Sequence, residues 1–272
     1  MTIETFGIVG FGHFGEFLAE SFKPYGQILV TDVDRGKLPQ YANGVRSADL
    51  AETAAADVVV LAVPFNALEG VLGDLSPLVP TETVIMDVVS TKARATGLLQ
   101  HMVRSHENVI ATHPLFGPPS MASVAGQSLV VTFERGERTK VFRRFLEDDL
   151  KLRTLDFSAE EHDRQMAYMQ ALPFFIARAL AELNIPELAQ GSLLSIPSFE
   201  KLATIASIER HHSQAMFETS QTSNPFAREA REHLLRVLQR LNDDLTTLSD
   251  EFDAGAGEWA SSPVPAPLLS ES

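Results

Sequence analysis

The first 155 residues alternate between short β-branched segments and segments of helical character. The strand-like segments read TFGIVG, QILVTD, ADVVVLAV, TVIMDV, NVIAT and SLVVTF, with helical-looking segments such as FNALEGVLGDL and KVFRRFLEDDL between them. Nearly continuous apolar strands that alternate with helices are typical of a parallel sheet covered by helices on both faces. The sequence therefore predicts an α/β domain over residues 1–155.

A glycine-rich turn follows the first predicted strand. Its sequence GFGHFG has the pattern G-x-G-x-x-G, and we predict that all six residues contact a dinucleotide: Gly10, Phe11, Gly12, His13, Phe14 and Gly15. The first glycine permits a tight turn, the second lets a pyrophosphate approach the backbone, and the third lets the next helix pack closely on the strand. The helix N-terminus also favours phosphate charge. The first domain is therefore predicted to be a dinucleotide-binding domain of the Rossmann type.

The second predicted strand ends in Asp32, about 20 residues after the glycine turn. A carboxylate at this place can bind the adenosine ribose hydroxyls and would repel a 2′-phosphate, so we expect NAD as the cofactor. Arg35 lies three residues further on, which leaves NADP open. We also assign Val63 and Pro64, after the strand ADVVVLAV, to the cofactor site. The alternative is a purely structural turn with an incidental acidic residue.

The composition limits the classes of partner. The chain has 272 residues, no cysteine and a formal net charge of −14, and no run of eighteen apolar residues occurs. Nucleic acids and anionic membranes require a basic surface, so we expect neither as a partner. The chain has no cysteine ligand for a metal, and we predict no metal site. Without a secretory leader pattern at the N-terminus, we expect a cytoplasmic protein.

Polar residues follow two further predicted strands. Ser90 and Lys92 come after TVIMDV, and His113 ends NVIAT. Ligands of open α/β sheets bind beyond the carboxyl ends of the strands, so these residues should meet near a bound nicotinamide if the two strands are neighbours. An imidazole can accept the hydroxyl proton of a carbinol, and a serine hydroxyl can orient the alcohol. The structural alternatives are a histidine that bonds loop carbonyls, a capping serine and a solvated lysine.

The segment after His113 is stiff. It reads PLFGPPS, and Pro114 restricts the backbone of His113 to extended conformations. Such rigidity suits a general base, which has to stay within hydrogen-bond distance of one hydroxyl.

Strand signals end near residue 156, and three long helical segments follow. The last of them carries an apolar stripe at spacings of three and four residues: Leu234, Leu238, Leu241, Leu245, Leu248 and Phe252. Asn224 before Pro225 is expected to cap this helix. We predict a helical domain over residues 156–253 and a disordered Gly-, Pro- and Ser-rich tail over 254–272.

Over roughly residues 5–250 the chain resembles the prephenate/arogenate dehydrogenase family of tyrosine biosynthesis. The resemblance rests on GFGHFG, DVVSTK, THPLFGP and EEHDRQMAYMQALPFF, in the order and spacing of the family. It implies an NAD(P)-dependent oxidative decarboxylation in which a hydride leaves C4 of a cyclohexadienol and the ring carboxylate leaves as CO2.

The resemblance also implies site residues. The catalytic histidine of the family corresponds to His113, its active-site serine to Ser90 and its lysine to Lys92, for which we expect substrate binding. Arg210 is our candidate for the arginine that binds a substrate carboxylate, as a dianionic substrate needs local cations in an acidic protein. The pair His162 and Asp163 matches the start of a family helix, with a capping or buried structural role as open as a catalytic one.

The chain departs from the family at one point. Phe174 and Phe175 stand where many members have a histidine near the substrate, so substrate preference and feedback by tyrosine do not carry over. Because family members pair through the helical domain, we expect a homodimer, although the leucine stripe would equally serve as a core face within one subunit.

Three other functions stay open at this stage. A hydroxy-acid or imine dehydrogenase of the same architecture usually has a lysine in the interdomain helix, and HDRQMAYMQALPFF has none. A non-catalytic dinucleotide sensor would need neither His113 nor Ser90. An enzyme for an amino-substituted prephenate would keep the same chemistry.

Overall fold

The computed structural model describes residues 3–39, 44–117, 123–185, 196–208 and 214–260, without the side chains of 215, 251 and 253–260. Within these ranges eight strands form one sheet in the order β3-β2-β1-β4-β5-β6-β7-β8. The strands are β1 Thr5–Val9, β2 Gln27–Thr31, β3 Val45–Ser47, β4 Val58–Leu61, β5 Val84–Asp87, β6 Val109–Pro114, β7 Ser128–Arg135 and β8 Arg153–Asp156. The helices between them are α1 His13–Phe22, α2 Leu50–Ala54, α3 Phe65–Leu75, α4 Lys92–Met102 and α5 Glu137–Asp148, with a short 3-10 turn at Arg35–Lys37.

Apolar residues of the central strands are buried on both faces of the sheet. In β4, Val58 and Val60 pack into a core with α1 and α5, whereas Val59 and Leu61 pack into a second core with α3 and α4. Successive strand residues point to opposite faces, so a strand covered on both sides needs a continuous apolar run. The predicted Rossmann-type α/β domain is confirmed.

Two strands run against the predicted direction. Strands β1 to β6 are parallel, but β7 pairs antiparallel with β6, and β8 is parallel to β7. The predicted parallel sheet therefore comprises β1 to β6, and β7 and β8 form an antiparallel edge beside it. A parallel neighbour requires a crossover, usually a helix, and the sequence LFGPPSMASVAGQ between β6 and β7 has no helical pattern. The short strands β3 and β8 were not predicted because they lack a long apolar run.

The described elements after Asp156 are helical. They are α6 Ala159–Met166, a π-helical segment Ala167–Ala171, α7 Leu172–Glu182, α8 Pro197–Ser207, α9 Gln214–Thr222 and α10 Ala227–Ala260. A capping box between Ser158 and Glu161 begins α6. Asn224 accepts a hydrogen bond from the backbone N–H of Phe226 just before α10, which agrees with its expected capping position.

Contacts divide the chain into two compact units, Met1–Arg228 and Glu229–Ser272. The predicted boundary between residues 155 and 156 stays a prediction. Helix α10 continues to Ala260, so residues 254–260 of the predicted disordered tail are helical, since each added residue extends an existing helix at little cost. Residues 261–272 lie outside the described ranges. Among the helices described, none is long and apolar enough to span a membrane.

Candidate active site

Two glycines of the turn after β1 are required because a Cβ atom at either position would collide with neighbouring atoms. Gly10 has φ +96°, and a Cβ there would collide with the carbonyl oxygen of Ala62 and come within 2.9 Å of Val63 Cγ1. A Cβ on Gly15 would overlap the carbonyl oxygen of Gly10. At Gly12, by contrast, a Cβ would meet no protein atom within 4 Å. The space beside Gly12 therefore lies open at the place where a pyrophosphate is predicted to approach.

Asp32 follows β2 and holds the glycine turn. Its Oδ2 accepts a hydrogen bond from the backbone N–H of Phe11 at 2.7 Å, and its Oδ1 accepts one from the N–H of Asp34 at 2.8 Å. The carboxylate is half-buried at the end of β2. It is thus placed beside the turn, as predicted, and its contact with a ribose stays a prediction.

The other predicted cofactor residues surround the same turn. Val63 and Pro64 follow β4, the neighbour of β1, and Pro64 directly precedes α3. His13 begins α1 and is exposed. Phe14 lies on α1 with its ring centroid 6.3 Å from that of Phe116.

This aromatic contact joins the glycine turn to the segment after His113. Phe116 also lies 6.3 Å from Phe17, centroid to centroid, so its ring packs on two residues of α1. A Cβ on Gly117 would come within 3.9 Å of Phe14. The stiff segment predicted from its prolines is therefore also held by packing on the helix that follows the glycine turn.

Ser90 follows β5, and His113 lies near the carboxyl end of the adjacent strand β6. Strands β5 and β6 pair in parallel with Asp87 opposite Ala111, so the neighbourhood assumed from the sequence is confirmed. The register of β6 against β7 shifts between Ala111 and Thr112, directly before the histidine. Bulges of this kind are frequent next to active sites, where they re-aim a side chain. Ser90 is half-buried, and its hydroxyl has no hydrogen bond within the described ranges.

His113 is buried and bonded to a second histidine. It is 5% exposed, and its Nδ1 lies 2.8 Å from Nε2 of His162 on α6. His162 in turn has Nδ1 at 2.8 Å from Oδ1 of Asp163. Sequence reasoning left the roles of His162 and Asp163 open, since nothing local in the chain indicates a contact across 49 residues.

Asp163 caps a helix from another part of the chain. Its Oδ1 accepts the N–H of Lys92 at 2.8 Å, and its Oδ2 accepts the N–H of Ala93 at 2.9 Å. These are the first two N–H groups of α4, which the N-cap residue Thr91 does not bind with its side chain. The first turn of a helix needs such acceptors. Asp163 thus fixes α6 against the end of β5 and α4.

The structure buries Lys92, for which substrate binding is predicted. The side chain has no exposed surface, and its contact with a substrate stays a prediction. Its Nζ donates to Oδ2 of Asp87 at 2.5 Å and to the carbonyl oxygen of Thr112 at 2.7 Å. Burial lowers the pKa of Lys92, and the carboxylates of Asp87 and Asp163 oppose that change. Lys92 therefore supports the backbone directly before His113.

The surroundings keep His113 uncharged. Burial is the largest cause that lowers the pKa of His113 well below 6.5, and repulsion from a protonated His162 and from Lys92 adds to it. A buried imidazole with a lowered pKa is neutral at pH 7 and can accept a hydrogen bond or a proton. Within the described ranges its Nε2 has no hydrogen-bond partner. Nε2 is thus the ring nitrogen left for a ligand.

One predicted residue cannot be placed. Arg210, the candidate for a substrate carboxylate, lies outside the described residues.

Fold and site together define a nucleotide-binding α/β protein of the Rossmann type, with a neutral histidine at the carboxyl edge of its sheet. Residues 23–134 match the family model described as prephenate dehydrogenase, nucleotide-binding domain. Over this segment the chain is similar to the nucleotide-binding domain of prephenate dehydrogenases.

Two relatives are similar to longer parts of the chain. A probable arogenate/prephenate dehydrogenase of Methanocaldococcus jannaschii is 27% identical over 256 residues, which cover 89% of this chain and 56% of that protein. A 4-amino-4-deoxyprephenate dehydrogenase of Streptomyces pristinaespiralis is 31% identical over 201 residues, 71% of this chain and 65% of that protein. The chain spans about half the length of the first relatives it matches: 56% of the Methanocaldococcus jannaschii protein and 40% of the T-protein of Enterobacter agglomerans.

The crystal structure of prephenate dehydrogenase from A. aeolicus, in complex with hydroxyphenyl propionate and NAD+, has the same fold. Its TM-score is 0.73 at 18% identity, with 96% of each chain covered. At this identity the likeness concerns the fold.

Proposed function

We propose that the protein catalyses the NAD(P)-dependent oxidative decarboxylation of prephenate or arogenate. The observation that carries this proposal is the neutral imidazole of His113, which is fixed at the carboxyl end of β6 with Nε2 unpaired in the described ranges. The match of residues 23–134 to the nucleotide-binding domain of prephenate dehydrogenases, and the relatives named for these substrates, support the choice of reaction.

In this proposal His113 acts on the C4 hydroxyl of the substrate. Its Nε2 accepts the hydrogen bond of that hydroxyl and takes up the hydroxyl proton as the hydride leaves C4. The proton returns to the same oxygen when the ring carboxylate leaves as CO2, so the phenol forms without net proton release. Ser90, which follows the adjacent strand β5, is proposed to orient the hydroxyl. A nicotinamide, when bound, supplies the acceptor for the hydride.

The residues of the glycine turn fit a dinucleotide. Open space beside Gly12 leaves room for a pyrophosphate, and the N-terminus of α1 directly follows. Asp32 favours NAD, because its carboxylate would repel a 2′-phosphate, and Arg35 keeps NADP as the alternative. The substrate carboxylates are assigned to Arg210, and the protein to the cytoplasm, on the sequence arguments given above.

An absorbance assay at 340 nm tests the activity. Prephenate and arogenate are each combined with NAD and with NADP, and we expect reduction of the nicotinamide with at least one pair. Replacement of His113 by alanine should lower kcat by at least about a hundredfold, the low end for a general base, while NAD still binds. No turnover of either substrate, or an unchanged rate in H113A, would overturn the proposal.

A second candidate substrate comes from one relative. The 4-amino-4-deoxyprephenate dehydrogenase is 31% identical to this chain, above the 27% of the probable arogenate/prephenate dehydrogenase. His113 can accept a hydrogen bond from an amino group at C4 as well as from a hydroxyl. Addition of 4-amino-4-deoxyprephenate to the same assay decides between the two, by comparison of kcat/KM.

We further propose that the protein is a homodimer that pairs through α10. The leucine stripe on this helix is exposed rather than packed in a core: Leu238 is 52% exposed, Leu241 49%, Leu245 63% and Leu248 58%. The spacings from Leu234 to Phe252 alternate between four and three residues, which is the repeat of helices that pair side by side. An exposed apolar stripe of this kind is typical of an interaction surface.

A further inference from the structure

Three buried side chains form a continuous line that ends at the proposed catalytic nitrogen. Asp163 Oδ1 lies 2.8 Å from His162 Nδ1, and His162 Nε2 lies 2.8 Å from His113 Nδ1. We propose that His162 and Asp163 are positioning residues that hold His113 in the tautomer with its proton on Nδ1 and its lone pair on Nε2. The inference rests on the proposed function only where the lone pair on Nε2 accepts the hydrogen bond of the C4 hydroxyl.

The argument begins at Asp163. Its carboxylate accepts the backbone N–H groups of Lys92 and Ala93, and its Oδ1 also lies 2.8 Å from Nδ1 of His162. An ionised carboxylate only accepts hydrogen bonds. With an ionised Asp163, the proton of this third contact therefore belongs to Nδ1 of His162.

The proton between the rings of His113 and His162 is then assigned to Nδ1 of His113. The proposal requires that His162 is uncharged. With its proton on Nδ1, His162 then has its lone pair on Nε2, so this nitrogen accepts a hydrogen bond from His113. His113 must donate through Nδ1–H, which leaves Nε2 of His113 unprotonated. The other tautomer of His113 would set two lone pairs against each other at 2.8 Å.

Charged groups around His113 disfavour a positive charge on that ring. On the side of β5 and α4, His113 faces the ammonium of Lys92, which is itself paired with Asp87. On the side of α6 lie His162 and the carboxylate of Asp163. Repulsion from Lys92 disfavours a resting positive charge on His113, whereas the Asp163 carboxylate lies beyond His162.

The same residues also have a structural role, which an experiment has to separate from this one. Asp163 caps α4, and its carbonyl oxygen accepts from Nδ2 of Asn224 at 2.8 Å. A purely structural role predicts lower stability on substitution but says nothing about the proton on His113. The tautomer is therefore the decisive quantity.

Nuclear magnetic resonance reads the tautomer directly. In the full chain labelled with 15N-histidine, two-bond 1H–15N correlations at pH 7.5 should show His113 with Nδ1 protonated and Nε2 unprotonated. The signal is assigned by its loss in H113Q. A protonated Nε2 with a bare Nδ1 in wild-type protein would overturn the inference. No substrate is needed, so this result is independent of whether the proposed reaction is correct.

Two substitutions of His162 then test the effect on catalysis. In His162→Gln the amide oxygen can accept the Nδ1–H of His113 in place of Nε2, whereas in His162→Leu no acceptor remains. We expect kcat to fall about tenfold or more in H162L, equivalent to at least about 1.4 kcal/mol, and to stay within about threefold of wild type in H162Q. KM and the affinity for NAD should change little in both. Equal losses of kcat in the two variants would contradict the inference.

A matched control separates positioning from loss of a buried histidine. His106 is 5% exposed and contacts the carbonyl oxygen of Val79 through Nε2, with no bond to the site in the described ranges. His106→Leu should lower the stability but leave kcat unchanged. If H162L does not fold, the NMR spectrum of H162Q decides, because Nδ1 of His113 should stay protonated there. Loss of that proton would count against the proposal.

Discussion

Lys92 donates a hydrogen bond from Nζ to Oδ2 of Asp87 at 2.5 Å, and neither side chain has any exposed surface. The same ammonium holds the carbonyl oxygen of Thr112, the residue before His113. Removal of one partner of a buried pair leaves an uncompensated charge, which costs about 3–5 kcal/mol. We therefore expect Lys92→Met to lower the free energy of unfolding by that amount in urea titrations.

An exposed pair provides the control. Lys140 lies 2.6 Å from Glu137, with 58% and 87% of the two side chains exposed, so Lys140→Met should change the free energy of unfolding by less than about 1 kcal/mol. When Asp87→Asn is added to Lys92→Met, part of the loss should be recovered, because the buried charge is gone. Equal losses in the two single variants would show that burial does not determine the strength of the pair.

The lowered pKa of His113 makes the stability depend on pH. In the unfolded chain this histidine binds a proton near pH 6.5, whereas in the folded chain it does so only at much lower pH. Below pH 6.5 the unfolded state therefore holds more protons, and the free energy of unfolding falls by up to about 1.4 kcal/mol per pH unit. Above pH 6.5 this contribution is fully present.

Urea titrations between pH 7 and pH 5 check this dependence. His113→Gln should lose less stability over that range than wild type, because the variant has no proton to take up at this position. Over the same range kcat/KM of wild type should persist below pH 6.5, since the folded imidazole stays neutral. Parallel stability curves for the two proteins would contradict the lowered pKa.

Local patterns were sufficient to locate six of the eight described strands and the glycine turn. The apolar runs predict strands because burial on both faces leaves no place for polar residues, and Gly10 and Gly15 have steric reasons within their own turn and the adjacent strand. His113 was found because strand β6 delivers it to the carboxyl edge. These features depend on neighbours in sequence or on the general geometry of parallel sheets.

Contacts between distant segments could not be found in this way. The bond between His113 and His162 spans 49 residues, and the cap of Lys92 N by Asp163 spans 71. A lysine after a strand looks solvated in sequence, and only packing of α4 and α6 buries Lys92. The direction of β7 was missed because an apolar strand has the same pattern in either direction.

Gly12 and Gly15 should respond differently to the same substitution. A methyl group on Gly12 meets no protein atom within 4 Å, so Gly12→Ala should fold with unchanged stability. It would occupy the space predicted for a pyrophosphate, so the Kd for NAD should rise about tenfold or more. Gly15→Ala would collide with the carbonyl oxygen of Gly10 and should lower the melting temperature.

Calorimetric titration with NAD and thermal unfolding of both variants measure these effects. An unchanged NAD affinity in Gly12→Ala would place the dinucleotide elsewhere. A stable Gly15→Ala would mean that the turn can relax.

The exposed stripe of α10 predicts how the proposed dimer can be separated. Leu238→Glu with Leu245→Glu puts two charges on residues that are 52% and 63% exposed in the single chain. Burial of a leucine stabilises an interface by about 1.5–3 kcal/mol, whereas two buried carboxylates would oppose association. Light scattering at micromolar concentration should therefore give twice 29.8 kDa for wild type and 29.8 kDa for the double variant.

The control puts the same charge on the adjacent helix positions. Gln239→Glu with Thr246→Glu lies one residue further along, rotated about 100° around the helix axis, on residues that are polar in the native chain. This variant should keep the mass of the dimer, because its charges do not lie on the leucine stripe. A monomeric wild type, or a dimer that survives Leu238→Glu with Leu245→Glu, would show that the stripe serves another purpose.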